Sequence, residues 1–165
     1  TANFDDAGFV KPDRITLIDQ GRLGEPLVSA RAAREFSVPS NGAGPRESPD
    51  SLAMAGGVIP HQDVLSILGT GIFINNLWYL NYSDRNAGRI TGMTRFATFW
   101  IENGEVQGPI NAMRFDETPY RMLGENLRGL TQEVELLPDS NTYGRRSTRS
   151  QRLPGALVDE FALTL

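Results

Sequence analysis

The sequence has 165 residues, 39% of them hydrophobic, which is enough to bury one sizeable core but short for two ordinary domains. Sixteen basic residues stand against 20 acidic ones, a formal net charge of -4, so no overall positive charge attracts nucleic acid or an anionic membrane. Cysteine is absent, which excludes disulfides, thiolate zinc sites and cysteine nucleophiles. The longest apolar runs are far shorter than the roughly 20 residues of a membrane helix. We therefore predict a single domain, residues 1–165, that has no nucleic-acid or membrane partner.

The first elements along the chain are a hairpin, a helix and a loop. Residues 14–28 hold two short apolar segments around the letters DQG, which predicts a hairpin with Gly21 at positive φ. Residues 29–36 follow as a short helix with Ser29 as its N-cap. Residues 37–51 are dense in Pro, Gly, Ser and Asn and predict a loop.

A second helix and a long strand come next. Val64, Leu65 and Leu68 stand at helical spacing, and Gly69 is positioned as a C-cap. Residues 72–83 are rich in aromatic and β-branched side chains and predict a strand. Both alternating sets of side chains in this strand are mostly apolar. We therefore expect both of its faces to be covered, by this chain or by another.

The strongest turn signal in the chain is Asn103-Gly104, which predicts a type I′ hairpin turn because both central residues must have positive φ. The turn sets three predicted pairs, which are Glu102 with Glu105, Ile101 with Val106, and Trp100 with Gln107. Pro109 lacks an amide donor, so strand pairing there should end, bulge or lie at an edge.

The last third of the chain predicts one helix and two strands. Thr118 is a candidate N-cap for a helix that reaches about Leu123 and continues past the next glycine. Residues 131–137 predict a strand, 138–155 a polar loop, and 156–165 a closing strand. Strands joined by short turns dominate, and we predict an α+β fold, mainly antiparallel sheet with a few short helices.

The two hairpins resemble each other in sequence. "IDQGRLGEPL" at residues 18–27 and "IENGEVQGPI" at residues 101–110 share the pattern I-[DE]-x-G-x-[LV]-x-x-P-[LI], offset by about half the chain. Each precedes a predicted helix. The domain could therefore consist of two pseudo-repeated halves, although turn-forming sequences also coincide by chance.

No residue combination predicts catalysis or metal binding. His61 is the single histidine, and carboxylates alone seldom form a zinc site, so a surface histidine is favoured. Ser83 has no nearby histidine or lysine to activate it. A basic cluster could clamp a carboxylate or phosphate, but a solvated loop or pairing with acidic neighbours is favoured. The cluster consists of Arg145, Arg146, Arg149 and Arg152.

Polar and aromatic residues of the long strand and its return strand are the best candidates for contact with a peptide or a protein partner. The predicted binding residues are Asn76, Tyr79, Asn81, Asp84, Arg89 and Arg95. Binding of single-stranded nucleic acid through Trp78, Tyr79 and the arginines is the weaker alternative, because it needs a basic groove that the net charge does not indicate.

In "TGMTRFATFWIENGEVQGPI", residues 91–110, a threonine-glycine strand leads through "IENGE" to a proline-bearing strand. This segment resembles the corresponding one of the TldD/PmbA family, also known as modulators of DNA gyrase. Residues 5–36 resemble the opening of the family's C-terminal domain, and residues 48–57 and 63–74 the strand and helix that follow. The resemblance covers nearly the whole chain.

This resemblance implies part of a cytoplasmic, dimeric zinc metallopeptidase that matures peptides or degrades short and unfolded ones. Zinc-bearing family members have an H-E-x-x-x-H helix in a preceding domain and a cysteine ligand in the C-terminal domain, and this chain has neither. The resemblance therefore implies a metal-lacking, PmbA/TldE-like subunit whose partner is a TldD-like subunit or a second copy. A single-subunit relative with altered ligands is the other possibility.

Two further expectations concern the whole protein. The chain opens on Thr1 without an initiator methionine, which favours a piece of a longer polypeptide. A non-enzymatic protein-interaction module is the alternative function, and it predicts that no peptidase domain lies upstream.

Overall fold

The computed structural model describes residues 3–5, 8–144 and 146–164 and shows mostly antiparallel sheet with a few short helices. The strands are β1 Ile18–Asp19, β2 Arg22–Leu23, β3 Ser51–Ala53, β4 Gly71–Asp84, β5 Arg89–Glu102, β6 Glu105–Pro109, β7 Arg114–Glu117, β8 Leu127–Pro138, β9 Ser150–Val158 and β10 Leu163–Thr164. The helices are α1 Ala30–Phe36 and α2 Val64–Leu68, with a 3-10 turn at His61–Asp63 and a π-helical turn at Arg121–Glu125. The predicted α+β class is confirmed. Within the described residues, no helix is long and apolar enough to cross a membrane.

The chain divides into two compact units, and each is built from two separate stretches. The first unit contains Thr1–Ala53 and Leu136–Leu153, and the second contains Met54–Glu135 and Pro154–Leu165. Strands β8 and β9 each contribute residues to both units.

The first unit opens with the predicted hairpin and helix. Strand β1 pairs with β2 in antiparallel register, Ile18 opposite Leu23 and Asp19 opposite Arg22. Helix α1 begins as the sequence predicts, because the Ser29 hydroxyl accepts a hydrogen bond from the Ala32 amide at 3.1 Å. Both predictions are confirmed.

The closing part of the chain differs from the prediction. Strand β3 pairs with β9 in parallel, from Ser51 opposite Ser150 to Ala53 opposite Arg152. The predicted loop over residues 138–155 is therefore wrong from Ser150 onward, because long-range pairing orders a polar segment without any apolar alternation. The predicted strand over residues 156–165 is two strands, interrupted where Glu160 has a φ of 52°.

The second unit is organised around β5. Its sheet has the order β10-β7-β5-β4, and β6 pairs with β5 as well. Phe115 and Ile101 are fully buried, and the Phe115 ring centroid lies 5.3 Å from that of Phe161. Gly92 allows this packing, since a Cβ there would come within 2.8 Å of the Phe115 ring. Burying each such side chain stabilises the fold by about 1.5–3 kcal/mol.

Strand β7 and the turn after it hold a buried carboxylate. The Glu117 side chain is 4% exposed and accepts hydrogen bonds from Arg121 Nη1 at 2.6 Å and from the Ala162 amide at 3.2 Å. The predicted cap at Thr118 is confirmed, because its Oγ1 accepts from the Arg121 amide at 3.1 Å. The helix does not continue regularly past Gly124, because this residue has a non-helical φ of -119° and ψ of -109° within the π-helical turn.

Strand β6 folds back from β5 through the predicted Asn103-Gly104 turn, whose φ angles are 53° and 79°. Two of the predicted pairs form, Glu102 with Glu105 and Ile101 with Val106. The third is wrong, because β6 bulges there and Trp100 lies opposite Gly108 instead of Gln107. Strand β6 ends at Pro109, as its missing amide donor predicts.

Candidate peptide-binding surface

The predicted binding residues all lie on β4 and β5, which form a long antiparallel ribbon in the second unit. Each strand has 14 residues. Strand β5 pairs with β4 on one side and with β6 and β7 on the other. No other strand in the described ranges pairs with the outer edge of β4. That edge is therefore a candidate template for an additional strand.

The register of the ribbon shifts at three places, once with the extra residue in β5 and twice with the extra residue in β4. In β5 the extra residue lies between the pairs Ile74–Thr98 and Asn76–Arg95, and Phe96 has a φ of 60°. An aromatic residue with positive φ is a steric outlier, because the left-handed region favours glycine.

The second bulge lies in β4. It falls between the pairs Trp78–Met93 and Asn81–Thr91, and Tyr79 has a φ of 55°. These two bulges lie one in each strand, and each contains an aromatic residue in the left-handed conformation. The third register shift lies at the turn end of the ribbon. β-Bulges redirect side chains, often next to functional sites.

The redirected side chains form the bulge cluster, which consists of Trp78, Tyr79, Arg95 and Phe96. The Arg95 Cζ atom lies 5.3 Å from the Trp78 ring centroid and 5.3 Å from that of Phe96. The Trp78 and Tyr79 rings meet edge to face, 6.2 Å apart at 88°. Trp78 is 46% exposed, Tyr79 74% and Phe96 70%, so the cluster faces solvent.

Hydrogen bonding is incomplete around the cluster. Asn76 Oδ1 and Thr98 Oγ1 are buried without a partner in the described part of the chain. The register places both residues on the same sheet face as Arg95. Asn76 lies directly opposite Arg95. Thr98 lies opposite Ile74, which shares a face with Asn76 because it stands two residues before it in the strand. Buried polar atoms are nearly always paired, so this face is an exception in the molecule.

The structure brings three of the six predicted residues together, namely Asn76, Tyr79 and Arg95 at the bulges. The others lie toward the turn of the ribbon. Asp84 Oδ1 accepts from the Asn86 amide at 2.9 Å, which assigns this residue a turn-stabilising role. Arg89 lies opposite it, at the start of β5.

The remaining predicted residue, Asn81, bonds locally, because its Oδ1 accepts from the Tyr82 amide at 2.9 Å. Peptide contact by any of the six stays a prediction. Sequence patterns missed Phe96 and Thr98, because a strand-forming aromatic residue carries no signal for positive φ and a threonine none for an unpaired hydroxyl.

This chain covers only part of β4, and cover of the rest by another chain stays a prediction. Residues 71–74 are partly buried, but the half near the turn is open. Tyr79 is 74% exposed, Leu80 58% and Tyr82 60%. The described residues of this chain leave these apolar side chains in solvent.

The whole chain, residues 1–165, matches the family of PmbA/TldA metallopeptidase C-terminal domains. The chain belongs to this family. It is 31% identical to the metalloprotease PmbA of Escherichia coli O157:H7 over 111 residues, which is 66% of this chain and 23% of PmbA. The family predicted from the sequence is confirmed.

Solved structures share the fold of this PmbA/TldA-type domain. TldE from Thermococcus kodakarensis aligns with a TM-score of 0.80 at 18% identity, over 99% of this chain and 36% of TldE. A proposed modulator of a DNA gyrase from Thermotoga maritima aligns with a TM-score of 0.74 at 16% identity, over 99% of this chain and 35% of that protein. The chain spans about a quarter to about a third of these relatives.

The residues described in this PmbA/TldA domain do not fit a zinc ion. The backbone amide of His61 donates to Glu133 Oε2 at 2.8 Å. No group of three or more His, Cys, Asp or Glu side chains able to hold a metal occurs in the described ranges. A structural zinc has four protein ligands and a catalytic one three, so the described residues do not form a complete zinc site by themselves.

One residue of the predicted arginine cluster, Arg149, is part of an ion-pair network in the first unit. Arg145 lies outside the described residues. Arg149 Nη2 lies 3.4 Å from Asp50 Oδ1, and Lys11 Nζ bonds Asp50 Oδ2. The Lys11 hydrogen bond, with the charges of both cations, holds the pKa of Asp50 below its ordinary value. The structure therefore shows Arg149 paired with an acidic neighbour.

Proposed function

We propose that this chain is the C-terminal domain of a metal-lacking, PmbA/TldE-like subunit in a zinc metallopeptidase that acts on short or unfolded peptides. The observation that carries the proposal is the family match over residues 1–165. The domain would act as scaffold and interface in the cytoplasm, and the hydrolytic zinc would belong to a TldD-like partner subunit.

The open edge of β4 supports the peptide part of the proposal. An extended peptide can add to a sheet edge through main-chain hydrogen bonds, which hold it largely independently of its sequence. Strand β4 has 14 residues and no strand on its outer side in the described ranges. Short or unfolded peptides are suitable ligands, because their main-chain groups are free to pair.

The composition supports the metal-lacking part of the proposal. The 165 residues include one histidine and no cysteine, so the domain cannot supply the cysteine ligand expected of zinc-bearing subunits. A TldD-like partner is favoured over a homodimer, since two metal-lacking copies would contain no catalytic zinc.

Reconstitution of the two subunits tests this proposal. The full-length protein containing this chain is assayed for zinc by elemental analysis and for cleavage of an unstructured peptide, alone and mixed with a zinc-bearing TldD-type protein. We expect negligible zinc and cleavage alone, and cleavage in the mixture that a chelator abolishes. The TldD-type protein assayed by itself is the control.

Two results would contradict the proposal. Stoichiometric zinc together with cleavage by the full-length protein alone would identify it as the zinc-bearing subunit or a single-subunit enzyme. Failure to associate with the TldD-type protein or a second copy, combined with binding of an unrelated protein, would favour a non-enzymatic interaction module.

A further inference from the structure

The bulges of β4 and β5 bring together side chains that regular strands would separate. Neighbouring residues of a strand point to opposite faces, yet the Arg95 guanidinium lies 5.3 Å from the ring centroid of the next residue, Phe96. Trp78 and Tyr79 meet in the same way at 6.2 Å. In both places the residue that turns back has positive φ.

This arrangement has an energetic cost that local packing does not offset. Each non-glycine residue with positive φ costs on the order of 1–3 kcal/mol and persists where the surrounding structure imposes it. Tyr79 and Phe96 are 74% and 70% exposed, so neither gains much from burial. Strain held at an exposed aromatic residue points to a binding role for the side chains it positions.

The Arg95 guanidinium packs against two aromatic rings, and its N–H groups have no hydrogen-bond partner among the described residues. The rings of Trp78 and Phe96 both lie within cation-π distance of this guanidinium. It makes no hydrogen bond or ion pair with any described residue. Its planar fork of N–H groups can therefore donate two hydrogen bonds to a carboxylate without breaking an existing bond.

The charge pattern favours a carboxylate over a nucleic-acid strand. Arg95 is the single cation of the bulge cluster, and the chain carries a net charge of -4. One guanidinium matches one carboxylate, whereas a nucleic-acid strand requires several cations along its phosphates. The exposed rings beside it suit apolar side chains that flank an acidic group.

We propose that the bulge cluster is a binding site for a peptide carboxylate, in which Arg95 donates to the carboxylate while the Trp78 and Phe96 rings orient its guanidinium. The inference rests on the proposed function for the class of ligand, a peptide. The carboxylate can be an acidic side chain or the peptide C-terminus, since both offer the same two oxygens. Asn76 Oδ1 and Thr98 Oγ1 are buried without hydrogen-bond partners on the same sheet face, among the described residues.

The test is a titration with three synthetic heptapeptides, monitored by tryptophan fluorescence or calorimetry on the full-length protein in a zinc chelator. The first peptide is blocked at both ends and has a central glutamate between apolar residues. The second replaces that glutamate with glutamine, and the third is the glutamine peptide with a free C-terminal carboxylate. We expect the first, the third or both to bind at least tenfold more tightly than the second.

Matched variants assign that preference to Arg95. Arg95→Gln should bind the carboxylate peptides at least tenfold more weakly and the blocked glutamine peptide equally well. Arg95→Lys should lose most of the preference, because an ammonium lacks the planar fork. Arg85→Gln is the control, since Arg85 lies over the Tyr82 ring at 5.7 Å on the same ribbon and should leave the preference unchanged.

Four results would overturn the inference. Two concern the peptides: equal affinity for all three of them, and retention of the preference in Arg95→Gln. The third is tighter binding of an eight-nucleotide oligothymidine than of the carboxylate peptides, and the fourth is a loss of the preference in Arg85→Gln equal to that in Arg95→Gln. The titration uses neither zinc nor a partner subunit, so a failure of peptide cleavage in the reconstitution leaves its outcome unaffected.

Discussion

The hairpins at residues 18–23 and 101–106 have the same turn in different surroundings. Gln20 and Gly21 have φ angles of 48° and 78°, close to the 53° and 79° of Asn103 and Gly104. In both, the isoleucine pairs with an aliphatic residue across the turn. Yet Ile18 is 67% exposed, while Ile101 is fully buried.

The difference lies in what each turn contacts. The Gly104 amide donates to the Gly69 carbonyl at 2.7 Å, and the Asn103 amide to Thr70 Oγ1 at 3.4 Å. A Cβ at Gly21 would meet nothing within 4 Å. Local sequence therefore specifies the turn, and the rest of the fold decides whether the hairpin becomes part of a core.

The two halves predicted from the hairpins also diverge beyond the turns. After the first hairpin the chain forms α1, whereas after the second it forms β7 before any helix. Strands β1 and β2 form a two-stranded sheet, while β5 and β6 belong to a five-stranded one. The similarity that the structure shows is confined to the turns.

Replacing the paired isoleucines with alanine is expected to give the largest difference between the hairpins in the free energy of unfolding. Ile101→Ala removes a fully buried side chain and should lower the free energy of unfolding by about 2–5 kcal/mol. Ile18→Ala removes an exposed one and should change it by less than about 0.5 kcal/mol. Denaturant titration of both variants measures the contrast, and similar losses would show that the first hairpin is buried in the full-length protein.

Alanine at the turn glycines should give a smaller contrast. The positive φ costs about 1–2 kcal/mol in Gly21→Ala and in Gly104→Ala alike. Gly104→Ala should lose about 1 kcal/mol more, since its Cβ would lie 3.1 Å from Ser66 Cα. Thermal melts of the two variants check this difference, and an equal shift would mean that the second turn does not pack as tightly as described.

Charge exchange across the turns should have the smallest effect. Glu102 lies opposite Glu105 and repels it, whereas Asp19 lies opposite Arg22 and attracts it. Glu105→Arg should stabilise the second hairpin, and Arg22→Glu destabilise the first, by about 0.2–1 kcal/mol each. Both shifts should shrink in 1 M salt, because exposed charges are screened. Salt-independent shifts would rule out the electrostatic cause.

Patterns with a local physical cause were predictable from the sequence. The caps at Ser29 and Thr118 and the Asn103-Gly104 turn follow from short-range chemistry, and all three form. Strand β9 lies between β3 and β8 in its sheet. Its start was missed because the pairing with β3 joins residues 99 apart and no local alternation predicts it. The missed strand β7 likewise depends on pairing with β5.

The candidate site was predictable as a region but not as a geometry. The polar and aromatic residues of β4 and β5 identified the ribbon, and Asn76 does lie opposite Arg95. The bulges were not predictable, because Tyr79 and Phe96 are strand formers whose positive φ results from the register of the whole ribbon. The Arg95 site could only be recognised once that register was known.

The discontinuity of the first unit has a consequence for synthesis of the protein. Its final strand residues, 150–153, emerge from the ribosome about 100 residues after β3, so the parallel pair must form late and across a long loop. The β4–β5 ribbon joins residues close in sequence and can form while β9 is still untranslated. We therefore expect the ribbon of the second unit to become ordered during translation before the first unit is complete.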